Sequence, residues 1–135
     1  MLATLIGLMF TVHYNPDAAM LAQVMYYESG NLPTDEEKAG VAWCVLNRVD
    51  SEEFPDDIYS VLTQENQFSS FSVENPVRED LYELADEVLE QWEKEKNGES
   101  IERPLPSEYV FYWGDGETNY YRTSYNSDEN YEIGG

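Results

Sequence analysis

The stretch Asn15-Pro16-Asp17-Ala18-Ala19-Met20-Leu21-Ala22-Gln23-Val24-Met25-Tyr26-Tyr27-Glu28-Ser29-Gly30 decides how the chain is read. Asn15 suits an N-cap, Pro16 the first helical position and Asp17 the positive end of the helix dipole. Gly30 is the expected C-terminal stop. Between these ends, residues 18–27 are apolar nearly all round, the pattern of a central helix enclosed by protein. Glu28 then falls in the last turn of that helix, on the same face as Leu21 and Val24. Burial and the negative end of the dipole both disfavour the charged form of a carboxylate there. A carboxylic acid that holds its proton is what glycoside cleavage needs to protonate the leaving oxygen. On the residues alone, Glu28 also reads as a solvated glutamate at an exposed helix end, because Glu is rarely buried.

Outward from this helix, Thr34-Asp35-Glu36-Glu37 fits a capping box. It opens a second helix whose stripe Ala39, Ala42, Trp43, Leu46 and Val49 ends near Asp50. Ile58, Val61 and Leu62 face inward on a short helix expected over residues 55–64, and residues 66–71 read as an ordered loop with two aromatics. A long amphipathic helix is expected from about Pro76 to Asn97-Gly98, with Leu81, Leu84, Ala85, Val88, Leu89 and Trp92 on one face. The period then becomes extended. Residues 109–113 and 119–122 flank Gly114-Asp115-Gly116-Glu117, which predicts a β-hairpin.

The whole is one domain, since 135 residues is within the usual span of about 100 to 200. With 41% hydrophobic residues and 14% aromatics the chain has the material for a core. Twenty-eight acidic against 7 basic residues give a net charge of −21, which excludes non-specific binding to nucleic acid and to anionic membrane surfaces. The same charge weakens long-range capture of an anionic polymer. Cys44 has no internal partner, and one His with one Cys builds no His/Cys zinc site, so neither metal nor cofactor is expected. Cys44, mid-helix, reads as a small buried hydrophobe. Alternating Asn126, Asp128, Asn130 and Glu132 lack the Gly and terminal Glu of a calcium loop. The apolar residues 1–12 lack the charged start and small-residue cleavage site of a signal peptide. They are also shorter than the roughly 20 residues of a membrane-spanning helix. They are expected to pack on the core, and no stable membrane insertion is expected.

Four blocks, residues 20–31, residues 39–49 with Leu46-Asn47-Arg48-Val49, residues 54–62, and Asn66-Gln67-Phe68-Ser69, resemble in order and spacing the SleB/CwlJ-type cell wall hydrolase family. Residues 109–122 are similar to its C-terminal aromatic strands. The resemblance implies a mostly helical α+β, lysozyme-like or lytic-transglycosylase-like domain over residues 15–135, behind an N-terminal apolar segment 1–14. It implies cleavage of the MurNAc–GlcNAc linkage in peptidoglycan glycan strands by a monomer acting at the cell wall, outside the cell, at a spore, or as a phage lysin. The catalytic acid of that family corresponds to Glu28. A lytic transglycosylase needs only that carboxyl group; a muramidase would use it with water, and a catalytically idle saccharide-binding module on the same fold is the third reading.

Within this frame Gln67 and Ser69 are candidates for hydrogen bonds to sugar hydroxyls or acetamido groups, and Phe68 for packing on a sugar face or in the core. Tyr112, Trp113, Asn119, Tyr120 and Tyr121 are candidate groove residues on the hairpin. Asn47 and Arg48 read as a structural pair at the end of the second helix, where Arg48 suits the negative dipole end. Two departures from the family stand out. Ser29-Gly30-Asn31-Leu32-Pro33 follows Glu28 where members usually carry a basic or small residue and a further glutamate. The C-terminal sheet is also expected to lack its last short strand.

Overall fold

A computed structural model describes residues 14–134. The apolar residues 1–12 and their expected packing lie outside it. Among the described residues, four helices, α1 (Pro16–Glu28), α2 (Asp35–Asp50), α3 (Ile58–Leu62) and α4 (Glu79–Lys96), precede an antiparallel hairpin of β1 (Phe111–Gly114) and β2 (Asn119–Arg122). This is the mostly helical α+β class expected.

Helix α1 begins as its sequence dictates, with the Asn15 side chain accepting from the Asp17 and Ala18 amides at 3.0 and 3.5 Å. It lies against α2, α3 and α4. Ala18, Leu21, Ala22, Val24 and Met25 are fully buried, Met20 and Tyr26 are half-buried, and Tyr27 is exposed, so the helix is enclosed on most sides and open along the one that carries Tyr27. Its buried polar residue, Gln23, is satisfied by a reciprocal amide clamp. Gln23 Nε2 donates to the carbonyls of Val73 and Asn75, and Asn75 Nδ2 donates back to those of Gln23 and Ser70. The irregular loop after α3 is thereby held along α1.

The capping box of α2 is formed, with the Glu37 amide on Thr34 Oγ1 and the Thr34 amide on Glu37 Oε2, both at 3.1 Å. Burial on α2 exceeds the expected stripe. Every residue from Ala39 to Arg48 is buried, because the hairpin covers the face that periodicity leaves to solvent. Tyr121 packs on Gly40, and Asn47 Nδ2 donates to the carbonyls of Pro106 and Tyr109 at 3.0 and 2.9 Å. Arg48 Nε donates to the Val110 carbonyl at 2.7 Å. Asn47 and Arg48 are thus a structural pair: Arg48 lies in the last turn of α2, where a cation suits the dipole, and both side chains also fasten the entry of β1 to α2.

Helix α4 buries Leu81, Ala85, Val88, Leu89 and Trp92 and exposes its acidic face. It starts three residues later than Pro76 suggests. Arg78, in extended backbone, donates to Asp80 and to the Gly30 carbonyl, which ties the start of α4 to the end of α1. Helix α3 is shorter than expected because Asp57 caps it through the Ser60 amide. In the hairpin, Tyr112 pairs with Tyr121 and Trp113 with Tyr120. Tyr131 exchanges two backbone bonds with Tyr121, a one-residue third strand in place of a longer one.

A Cβ on Gly40 would lie 2.6 Å from Ile133 Cδ1 and overlap the Tyr121 hydroxyl. Overpacking of this kind costs about 1–3 kcal/mol, against about 1 kcal/mol that Ala gains over Gly in a helix. Gly40→Ala therefore destabilises by up to about 2 kcal/mol in urea unfolding, and Tyr121→Phe in the same chain restores part of the loss. A stabilising Gly40→Ala contradicts this packing.

Candidate active site

Glu28 is the last residue of α1 and is half-buried. Its carboxyl group meets two hydroxyls. Ser70 Oγ donates to Oε2 at 2.6 Å, and the Tyr112 hydroxyl donates to Oε1. Asn119 Nδ2 donates to the Glu28 backbone carbonyl at 3.0 Å, which supplies one of the acceptor-satisfying bonds a helix end requires. Gly114 sits opposite Asn119 in the hairpin, where a Cβ would overlap the Asn119 side chain, so its lack of a side chain permits this reach. Ser29 Oγ closes the other side, donating to the Lys38 carbonyl at 2.7 Å.

Each partner arrives from a separate element. Ser70 comes from the loop clamped by Gln23 and Asn75, and Tyr112 and Asn119 come from the hairpin anchored by Asn47 and Arg48. Hydroxyls can donate or accept. A carboxyl group held only by hydroxyls can give up and regain a proton while its neighbours rotate, with no fixed cation to dislodge.

Glu28 and Tyr112 line two adjoining depressions, one of about 670 Å³ and one of about 260 Å³. The larger arm is walled by Arg48, Gln67, Phe68, Phe111, Trp113 and Arg122, among others, and the smaller by Tyr27, Asn31, Leu32 and Asn119. Glu28 stands at the waist between them.

The sequence-predicted residues divide accordingly. Tyr112, Trp113, Asn119, Gln67 and Phe68 line the groove, although Phe68 is only 4% exposed and Gln67 is held by Arg48 Nη1 at 2.9 Å. Tyr120 stacks on Trp113 at 4.5 Å between centroids and lines neither arm of the groove. Tyr121 is not a groove residue: at 1% exposure it is core, because the β-sheet alternation that turns Tyr112 inward turns its pairing partner inward too. Ser69 is exposed and lines neither arm, and its neighbour Ser70 makes the contact with Glu28. Ser70 was one residue beyond the block that the pattern singled out, and only the loop's path, set by Asn75, selects it. Arg48 was read as structural alone, yet it also lines the larger arm. Cys44 is fully buried, and burial pushes its thiol up to about 12, consistent with an inert core residue.

The model of the cell wall hydrolase family matches residues 34–134. The chain belongs to that family. No curated protein and no solved structure matches. The family model thus covers α2, α3, α4 and the hairpin of this hydrolase, and α1 with Glu28 precedes the matched span. All three side chains that hold Glu28 lie within it. Membership makes the chain a hydrolase of the cell wall, with peptidoglycan as the polymer it degrades.

Burial, and next the Glu28 carboxylate, hold the Tyr112 phenol protonated well above its ordinary range. A group whose folded pKa exceeds its unfolded value near about 10 contributes stability that is complete below that pH and is lost as pH rises above it. Tyr112→Phe therefore shallows the fall in unfolding free energy above about pH 10 and lowers wall cleavage at neutral pH roughly tenfold, the cost of about one hydrogen bond. An unchanged alkaline slope, read from urea unfolding between pH 9 and 11, contradicts the buried Tyr112–Glu28 pair.

Proposed function

We propose that this hydrolase is a lytic transglycosylase that cuts the MurNAc–GlcNAc linkage of glycan strands with Glu28 as both acid and base. The observation that carries the reading is the position of one carboxyl group, held by two hydroxyls, at the waist of a groove that extends to both sides of it. A polymer lying along the groove would cross Glu28 in mid-strand, as internal cleavage requires.

In the first step Glu28 gives its proton to the linkage oxygen, and the C1–O bond breaks with oxocarbenium character at the muramyl C1. The carboxylate then takes the proton of the muramyl C6 hydroxyl as that oxygen bonds to C1. The product is a 1,6-anhydro end, water is not consumed, and Glu28 recovers its proton. Ser70 and Tyr112 would orient the carboxyl group through both halves, and Trp113 offers an exposed ring for stacking beside a sugar.

A muramidase reading draws on Asp128, the other carboxylate that lines the larger arm and a candidate to activate water. Digestion of vegetative sacculi and spore cortex, followed by mass spectrometry of the released muropeptides, decides between them. Anhydro-ended products that fall about 10³-fold with Glu28→Gln, in the range of general acid–base contributions, are expected. Reducing ends that disappear with Asp128→Asn would establish the muramidase, and no release from the wild-type protein would leave a saccharide-binding module.

A further inference from the structure

Arg48 and Arg122 both line the larger arm and have no carboxylate within 4.0 Å among the described residues. Of the chain's 7 basic residues, Arg78, Lys94 and Arg103 are paired with carboxylates, and Arg48 and Arg122 are the two that line this arm. Arg48 is 3% exposed, and its guanidinium lies 4.7, 4.9 and 5.1 Å from the ring centroids of Phe54, Phe68 and Phe111. Its N–H groups reach only neutral acceptors, the Val110 carbonyl and Gln67 Oε1. Arg122 Nε donates to Asn130 Oδ1, also neutral, beside the Trp113 ring. No carboxylate of the described residues therefore meets the positive charge of either side chain at the wall of the groove. Asp128 is the one acidic residue besides Glu28 in this arm, and the smaller arm has Glu28 and no cation.

Resting on the glycan-cleaving reading above, we propose that the larger arm is the muramyl side of the groove, where Arg122, backed by Arg48, recognises a carboxylate carried on the lactyl ether. Only the muramyl sugars of the alternating strand bear that ether. Recognising it in one arm fixes the register of the polymer on Glu28 and so selects which of the two linkages is cut. The carboxylate comes either from the lactyl group itself, on strands stripped of peptide, or from the stem peptide attached to it. Charge-assisted contacts of this kind are the stronger class of hydrogen bond, and Arg suits them through its planar fork of donors.

The test uses peptide-free strands and peptide-bearing strands, each with carboxylates free or capped as neutral methylamides. Binding to the Glu28→Gln protein is measured by calorimetry, and cleavage is measured with Glu28 intact. Capping is expected to weaken binding about tenfold. Arg122→Gln is expected to cost the same on free strands and nothing further on capped ones, while Arg122→Lys retains most of the affinity. A capping effect confined to peptide-free strands identifies the lactyl carboxylate, and one confined to peptide-bearing strands identifies the stem peptide. Either result supports the proposal. Equal binding and cleavage of free and capped strands overturns it and leaves the glycosidase standing. Carboxylate-dependent binding with no cleavage supports the carboxylate site and overturns the glycosidase, and with it the selection of a linkage. An equal loss with Arg122→Gln on free and capped strands overturns it as well, since that is the mark of a structural role.

Discussion

Burial of α1 on nearly every side is the constraint from which the rest of the molecule follows. A helix surrounded by protein must end among protein groups, and its final carbonyls and its terminal carboxyl group need partners there. The chain supplies them from three directions: the Asn119 amide for the Glu28 carbonyl, the Ser70 and Tyr112 hydroxyls for its carboxyl group, and Arg78 for the Gly30 carbonyl. Each of those groups is itself fixed elsewhere, Ser70 through Asn75 and Gln23, and the hairpin through Asn47, Arg48 and the Tyr121–Gly40 contact. The same bonds that let α1 end inside the fold hold Glu28 between the two arms of the groove.

Much of the helical frame was legible because it rests on local rules. Asn15-Pro16-Asp17 and the Thr34–Glu37 box mark their helices through bonds between residues two or three apart. The amphipathic face of α4 and the turn centred on Gly116 also follow from neighbours in sequence. The second burial face of α2 is not legible, because its cover comes from Pro106, Tyr109, Val110 and Tyr121, 59 residues and more later in the chain, and no periodicity within α2 records that. The delayed start of α4 has the same origin, a tertiary bond from Arg78 to Gly30.

The site divides in the same way. Glu28 was found from its place at the end of an apolar helix, and Tyr112 from the aromatic alternation of the hairpin. Ser70 and the groove-lining role of Arg48 depend on long-range placement, since their partners are 42 and 62 residues away. Tyr121 illustrates the limit of pattern reading: strand alternation separates two faces, and which face the core takes is decided by what packs against it. The family match, from residue 34 to 134, covers the elements that hold Glu28 and does not include Glu28 itself.

The central claim is that a glycan strand crosses Glu28 at the waist of one continuous groove. A crystal structure of the Glu28→Gln protein with a wall-derived tetrasaccharide tests it most directly. The account predicts sugar rings in both arms, with a linkage oxygen within hydrogen-bond reach of the residue 28 side chain. A saccharide confined to one arm, or one whose linkage oxygens all lie beyond that reach, would contradict it.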